Sequence, residues 1–304
     1  MMLAELARCE LVVVTGKGGV GKSAVAAALG TLLAGIGRRT ILLEIDPRES
    51  LHHWLETPPS GGELLTVGPR LFLQHLEPRR EMDDLVDHHL RIGPLVRRVL
   101  ASPVYSHFAD GAPGLKELAV LGHALRLVEG PPIKGAPPID LVVLDAPASG
   151  HGVSLLTAPL LAAEVIRQGP FGRMATRLSR LVADPACCAI VVVTQAEEMP
   201  AQEALELQET LVARLGRHAD VLVVNGLFPP FPETRADAAG TPEIELWRNQ
   251  RLVNERELAR LRSRWLGATV ELPLLPFDRG THLIAELRVR LEAALTSGGS
   301  AGRS

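Results

Sequence analysis

Cysteine, aromatic residues and long apolar runs are all scarce in this 304-residue chain, and neither sign of charge is in large excess. Three cysteines, Cys9, Cys187 and Cys188, cannot build a disulfide framework, and no C-x-x-C or Cys/His spacing offers a zinc site. Lys and Arg number 32 against 35 Asp and Glu, a formal net charge of −3, so the chain projects no long-range field toward nucleic acid. No apolar stretch reaches the roughly 18 to 20 residues that a membrane-spanning helix needs. The opening residues, Met1 to Arg8, carry Glu5 early and lack the basic, apolar and small-residue order of a signal peptide, so a cytoplasmic protein is expected. With only 3% aromatic residues, the chain is a poor candidate for a sandwich of aromatic strands. Its length is enough to bury roughly three quarters of the unfolded surface in one large domain, or one domain with a subdomain.

What is present is a repeated alternation. Short apolar runs bounded by turn residues occur at 10–15, 40–45, 71–76, 139–145, 189–194, 221–225 and 269–272, and most read as buried parallel strands. Between most of them lie segments of helical period, such as Val25, Ala28, Leu29, Leu32, Leu33 and Ala204, Leu205, Leu207, Leu211, Leu215. The pattern predicts an α/β fold with a doubly wound, mostly parallel sheet over residues 1–295. Residues 81–130 contain no strand signal, only apolar positions at helical spacing, so a helical subdomain is predicted there, followed by a Pro-rich return at 131–138. Residues 296–304 read as a small-residue, disordered tail. The helix at 282–295 is amphipathic, and its mixed-charge polar face favours packing on the sheet over lying on a membrane.

Directly after the first strand stands Gly16-Lys17-Gly18-Gly19-Val20-Gly21-Lys22-Ser23, followed by a helix. This satisfies G-x-x-x-x-G-K-[ST] in strand, loop, helix context. Glycines let backbone N–H groups converge on a polyphosphate at a helix N-terminus, Lys22 neutralises its outer oxygens, and the Ser23 hydroxyl can ligate Mg²⁺. The same residues also spell G-x-G-x-x-G (Gly16, Gly18, Gly21), with Glu44 and Asp46 near the end of the second strand where a dinucleotide fold places its ribose acid. Against that rival stand the Lys-Ser pair and a second acidic motif, Asp145-Ala146-Pro147-Ala148-Ser149-Gly150-His151, after a later strand. Asp145 at a strand end could hold Mg²⁺ through water or simply cap the next helix, and Asp46-Pro47 could serve a metal water or be a turn.

Taken together, Lys17, Asp46-Pro47, the Asp145 to His151 segment, Val224-Asn225 and Leu272-Pro273-Leu274-Leu275-Pro276-Phe277 resemble the arsenite-pump (ArsA) family of P-loop ATPases, over about residues 10–295. The resemblance implies a homodimer, or a heterodimer with a related ATPase, that binds ATP and Mg²⁺ at its interface. It implies that Lys17 reaches the partner's phosphates, that Gly16 to Ser23 cradle the nucleotide, and that Ser23, Asp46 and Asp145 serve the metal, partly through water. It further implies that Asp46 and Asp145 belong to two switches, that Asn225 and the Pro276-Phe277 loop contact adenine, and that the helical insert faces a protein client or membrane partner.

The chain also departs from that family. Its arsenite branch has two ATPase halves and thiolates for the metalloid, whereas this chain has one half and no cysteine in the insert. The zinc cysteines of the tail-anchor-targeting branch are missing, only Met82 represents the methionines of a client groove, and His53 stands where that branch has a water-polarising Asp. Slow hydrolysis is therefore one expectation. A non-catalytic subunit paired with an active relative, or the ATPase of a membrane anion pump, are the others.

Overall fold

Each of the seven strand segments expected from the apolar runs forms, within two residues of its expected ends, in the computed structural model of the chain. The structure describes residues 2–45, 49–90, 102, 114–130, 137–147, 149–166, 168–230 and 241–297. The strands are β1 Leu11–Gly16, β2 Thr40–Glu44, β3 Leu65–Gly68, β4 Leu71–His75, β5 Leu141–Asp145, β6 Cys188–Thr194, β7 Val221–Leu227 and β8 Ala268–Pro273. They make one sheet in the order β3-β4-β2-β5-β1-β6-β7-β8. Every neighbouring pair is parallel except β3 with β4. β3, an antiparallel edge strand, is the addition to the sequence reading: four partly exposed residues ending in Gly68 carry no continuous apolar signal.

Alternation along the strands sorts the core into two layers. Val12, Val14, Leu42, Val143 and Val191 point to the face covered by α2 (Lys22–Gly35) and by the C-terminal helix at Thr281–Ser297. Leu11, Val13, Leu43, Val142 and Ile190 point to the other face, covered by helices at Leu115–Glu129, Ser149–Val165, Gly169–Ala183 and Glu198–Leu215. In chain order the described helices are α1 Leu3–Leu6, α2, α3 Leu51–Leu55, α4 Pro78–Leu90, α5 Leu115–Glu129, α6 Ser149–Val165, α7 Gly169–Ala183, α8 Glu198–Leu215, α9 Pro242–Arg264 and α10 Thr281–Ser297. α2 is rich in alanine (Ala24, Ala26, Ala27 and Ala28 are buried), which lets its axis lie close to the sheet. α10 buries Ile284, Leu287, Leu291 and Leu295 in the same layer, so its apolar stripe packs on protein.

Within 81–130 the described residues form α4 and α5, and most of the span between them lies outside the described residues, as do 131–136 and the tail 298–304. α5 is a crossover helix as well as part of that segment: Leu118, Leu121, Ala124 and Leu127 enter the main core, while Ala119 on its other side meets Met82 and Leu85 of α4. A buried polar group reinforces the join, with His123 Nδ1 2.7 Å from Glu81 Oε2 and His123 Nε2 3.1 Å from Gln74 Oε1 on β4.

The amino ends of β2 and β5 are tied by Arg39, whose Nε (3.0 Å), backbone N–H (2.9 Å) and Nη2 all donate to Asp140. Those donors hold the Asp140 carboxyl below the usual carboxylate range. A depressed folded value gives stability that is present above the unfolded pKa, about 4, and is lost as pH falls through the folded value. The stability advantage of wild type over Asp140→Asn, measured by urea unfolding, should therefore shrink as pH is lowered from about 6 to about 3. An advantage that stays constant over that range would contradict the pairing.

Candidate functional site

The chain first lays strands on one side of β1 (β2, β3, β4, β5) and then on the other (β6, β7, β8), so the carboxyl end of β1 is the point where the winding reverses. Open α/β sheets bind ligands in the crevice at such a point. Residues 16–23 occupy it, linking β1 to the N-terminus of α2. The local geometry requires glycine at two positions. Gly16 has φ +144° and approaches β6 so closely that a Cβ would sit 2.1 Å from the Val193 carbonyl oxygen. Gly21 has φ +92°, and a Cβ there would sit 2.3 Å from Asn225 Nδ2. Val20 is buried and anchors the loop, while Gly18 and Gly19 are exposed at its crest.

The two lysines of the loop go separate ways. Lys22 Nζ turns back along the loop and donates to the Lys17 carbonyl at 3.0 Å. Lys17 Nζ instead points across to α8, where it pairs with Glu203 Oε1 at 2.7 Å. Glu203 carries no motif and lies 186 residues away in sequence, so nothing in the chain pattern pointed to it.

Asp145 closes β5 at the same edge, 5% exposed, in register with Val14 of β1 and Glu44 of β2. Ser23 and Asp145 thus offer hard oxygen donors, the kind Mg²⁺ takes, from a loop and a strand end that converge on one edge. Asp46, with Pro47 and Arg48, lies outside the described residues. So do the side chains of Ser149, His151, His88 and His89. Glu44, 1% exposed, accepts from the backbone N–H of Ser50 (2.8 Å) and of Leu51 (3.2 Å) and from the hydroxyl of Ser50, the residue just before α3. Burial pushes its carboxyl above the usual range, the Ser50 and Leu51 donors opposing. Its carboxylate is turned into the protein toward these donors, which does not suit a ribose acid.

On the far side of the loop, Asn225 Nδ2 donates to the Val20 carbonyl at 3.0 Å. The family resemblance implies an adenine contact for Asn225; what the structure shows is this side chain bracing the 16–23 loop from β7. Pro276 and Phe277 follow β8 and are exposed, Phe277 by 46%. Leu274 N–H donates to the Leu227 carbonyl at 2.7 Å, bringing that segment beside the end of β7. Its other end is tied to α3, through Thr281 Oγ1 to Glu56 Oε2 at 2.8 Å and Arg279 over the Trp54 ring at 5.4 Å. His53 lies in α3 with its ring centroid 3.8 Å from that of His52.

The cysteines sit at the opposite, amino edge of the sheet, where the backbone carbonyl of Cys187 accepts the N–H of Glu10 and of Leu11. Burial pushes the Cys9 thiol up to about 12 and raises Cys188 as well; Cys187 is raised by burial and by Asp184. Thiols so held are protonated and poor nucleophiles or ligands. No helix among the described residues is long and apolar enough to cross a membrane.

Comparison with known proteins agrees with this arrangement. The profile of the anion-transporting ATPases matches residues 9–174. The ATPase BagA of Mycobacterium tuberculosis is 27% identical over 243 residues, covering 78% of this chain and 71% of that protein. ATPase asna-1 of Caenorhabditis elegans is 24% identical over 323 residues, covering 91% of both chains. The arsenical pump-driving ATPase of Escherichia coli is 24% identical over 238 residues, covering 73% of this chain but only 40% of that larger protein. The profile match spans more than half of the 304 residues and includes the phosphate loop and Asp145, both in place at the carboxyl edge of a doubly wound sheet: this chain belongs to the anion-transporting ATPase (ArsA) family.

Proposed function

We propose that the chain is a Mg²⁺-dependent ATPase that works as a dimer, homomeric or with a related chain, and couples its nucleotide state to a client or partner on the α4–α5 segment. The observation that carries this reading is the placement of Gly16 to Ser23 at the winding reversal, with Asp145 at the neighbouring strand end. The terminal phosphates of ATP would lie against the loop N–H groups, with Lys22 turning from the Lys17 carbonyl onto their oxygens. Ser23 and Asp145, with Asp46, would hold Mg²⁺, directly or through water, and the ion would supply neutralisation of the phosphate charge. Adenine would lie near Asn225 and the Pro276-Phe277 segment, where Phe277 offers an exposed ring. Lys17 leaves its own loop for Glu203, which supports a role on a partner's phosphate over its own. Water attack on the γ-phosphorus needs little covalent help from the protein, so catalysis would be electrostatic.

His53, standing where the tail-anchor-targeting branch has a water-polarising Asp, favours one refinement: turnover by this chain alone is slow, or needs a related chain to supply the water-polarising group. Purified protein is assayed for ATP hydrolysis with Mg²⁺, alone and mixed with a related chain. Turnover in either assay supports the reading, and absence of both ATP binding and turnover contradicts it.

Among transport readings, a metalloid-driven pump is the weaker fit, because soft As(III) wants converging thiolates and the thiols here are held protonated at the far edge. Replacing all three cysteines by Ser or Ala should leave the ATPase rate within about twofold, in line with side chains outside the chemistry. Stimulation of wild type by As(III) or Sb(III) that the cysteine-free protein lacks would reverse that conclusion.

A further inference from the structure

Ser50 belongs to no phosphate-loop motif, yet the structure brings it to the loop serine. Its hydroxyl donates to Glu44, and its Oγ stands 3.5 Å from Ser23 Oγ. A hydroxyl has one proton and two lone pairs, and an ionised carboxylate only accepts. With the Ser50 proton on Glu44, the proton shared between the two serines has to be that of Ser23. Ser23 would then donate to Ser50 and keep its lone pairs for a cation. The 3.5 Å separation is longer than the roughly 2.5 to 3.0 Å of a formed O–H···O hydrogen bond, so the two hydroxyls stand in polar contact and need a small approach to bond. Polar contacts in unliganded sites are commonly long and tighten on loading.

We infer that Ser50 and Glu44 are positioning residues for the metal ligand: Glu44 orients the Ser50 hydroxyl, and Ser50 takes the Ser23 proton so that Ser23 Oγ is turned toward a divalent cation. The inference rests on the reading of residues 16–23 as a nucleotide loop. It goes beyond that reading in assigning a function to a side chain that makes no capping hydrogen bond to the five-residue helix it precedes. Groups that orient a metal ligand from behind are typically worth about 10- to 100-fold in metal affinity. A hydroxyl that served only to satisfy the buried Glu44 carboxylate would instead change folding stability and leave metal affinity alone.

The test uses Mn²⁺ as the probe, read by electron paramagnetic resonance on the full chain with saturating ADP, together with ADP affinity in EDTA. Ser50→Ala keeps the backbone N–H bonds to Glu44 and so retains the turn. It should weaken Mn²⁺ binding by about tenfold or more. ADP affinity in EDTA should change less than about twofold, as for an ordinary surface change. Ser50→Thr, which keeps the hydroxyl, should restore Mn²⁺ affinity. Glu44→Gln is the second variant and should weaken Mn²⁺ in the same direction. If Ser23→Ala loses Mn²⁺ while Ser50→Ala and Glu44→Gln bind it as wild type does, the positioning role is wrong and the nucleotide loop stands. If Ser23→Ala and Lys22→Ala both leave Mn²⁺ and ADP binding unchanged, the loop reading fails and takes this inference with it.

Discussion

Lys22→Ala should abolish useful ATP affinity and leave the fold intact. The side chain is partly exposed at the first turn of α2, where water can take over its bond to the Lys17 carbonyl. Val20, Ala24 and Val25, which fix the loop and helix to the sheet, are untouched and buried. What disappears is a positive charge placed to meet the outer phosphate oxygens in a site shielded from water once nucleotide fills it. Loss of one partner from such a desolvated charge pair costs about 2 to 5 kcal/mol. That is roughly a thirtyfold to several-thousandfold loss of affinity. Calorimetric titration with ATP should show it, while the thermal midpoint without nucleotide moves little. Unchanged ATP affinity would remove the phosphate-loop assignment.

Lys17→Ala should have a different signature: ATP binding kept, turnover lost by at least about a hundredfold, as expected when a charge reaching the transferring phosphoryl group from a partner is removed. The structure sharpens this expectation. Lys17 and Glu203 are 33% and 29% exposed, and a pair so hydrated contributes only about 0 to 1 kcal/mol. Breaking it cannot unfold the protein, and exchanging Glu203 for a phosphate is correspondingly easy. A large loss of rate with ordinary stability would therefore report on chemistry. A lysine that merely decorates a glycine turn would change the rate less than about twofold on removal.

The fold was readable wherever a pattern is local. Strands that run buried on both faces read as unbroken apolar segments, and α2 and α8 read by their period. The same locality hid β3, whose four residues are held by pairing with β4, and it hid the double duty of α5, whose opposite sides serve the main core and α4. At the site, the loop and Asp145 were visible because the chemistry dictates residue type and spacing. Interactions that close the site across the chain were not visible: Lys17 with Glu203, Asn225 with the Val20 carbonyl, and Ser50 with Ser23 are separated by 186, 205 and 27 residues. Each joins ordinary residue types whose meaning comes only from the sheet order that places them side by side.

The central claim, an ATP site completed across a dimer interface by Lys17, is tested most directly by mixing Lys17→Ala and Lys22→Ala chains. Each variant alone should be nearly inactive, one lacking the lysine that acts across the interface and the other lacking nucleotide affinity. In a mixed dimer, the loop of the Lys17→Ala chain is intact and faces an intact Lys17 on its partner, so one competent site forms. The account predicts that steady-state ATP hydrolysis reappears on mixing and reaches at most a fraction of the wild-type rate. A mixture that stays inactive while wild type turns over, with subunit exchange demonstrated by light scattering, would contradict it and place Lys17 on its own chain's nucleotide.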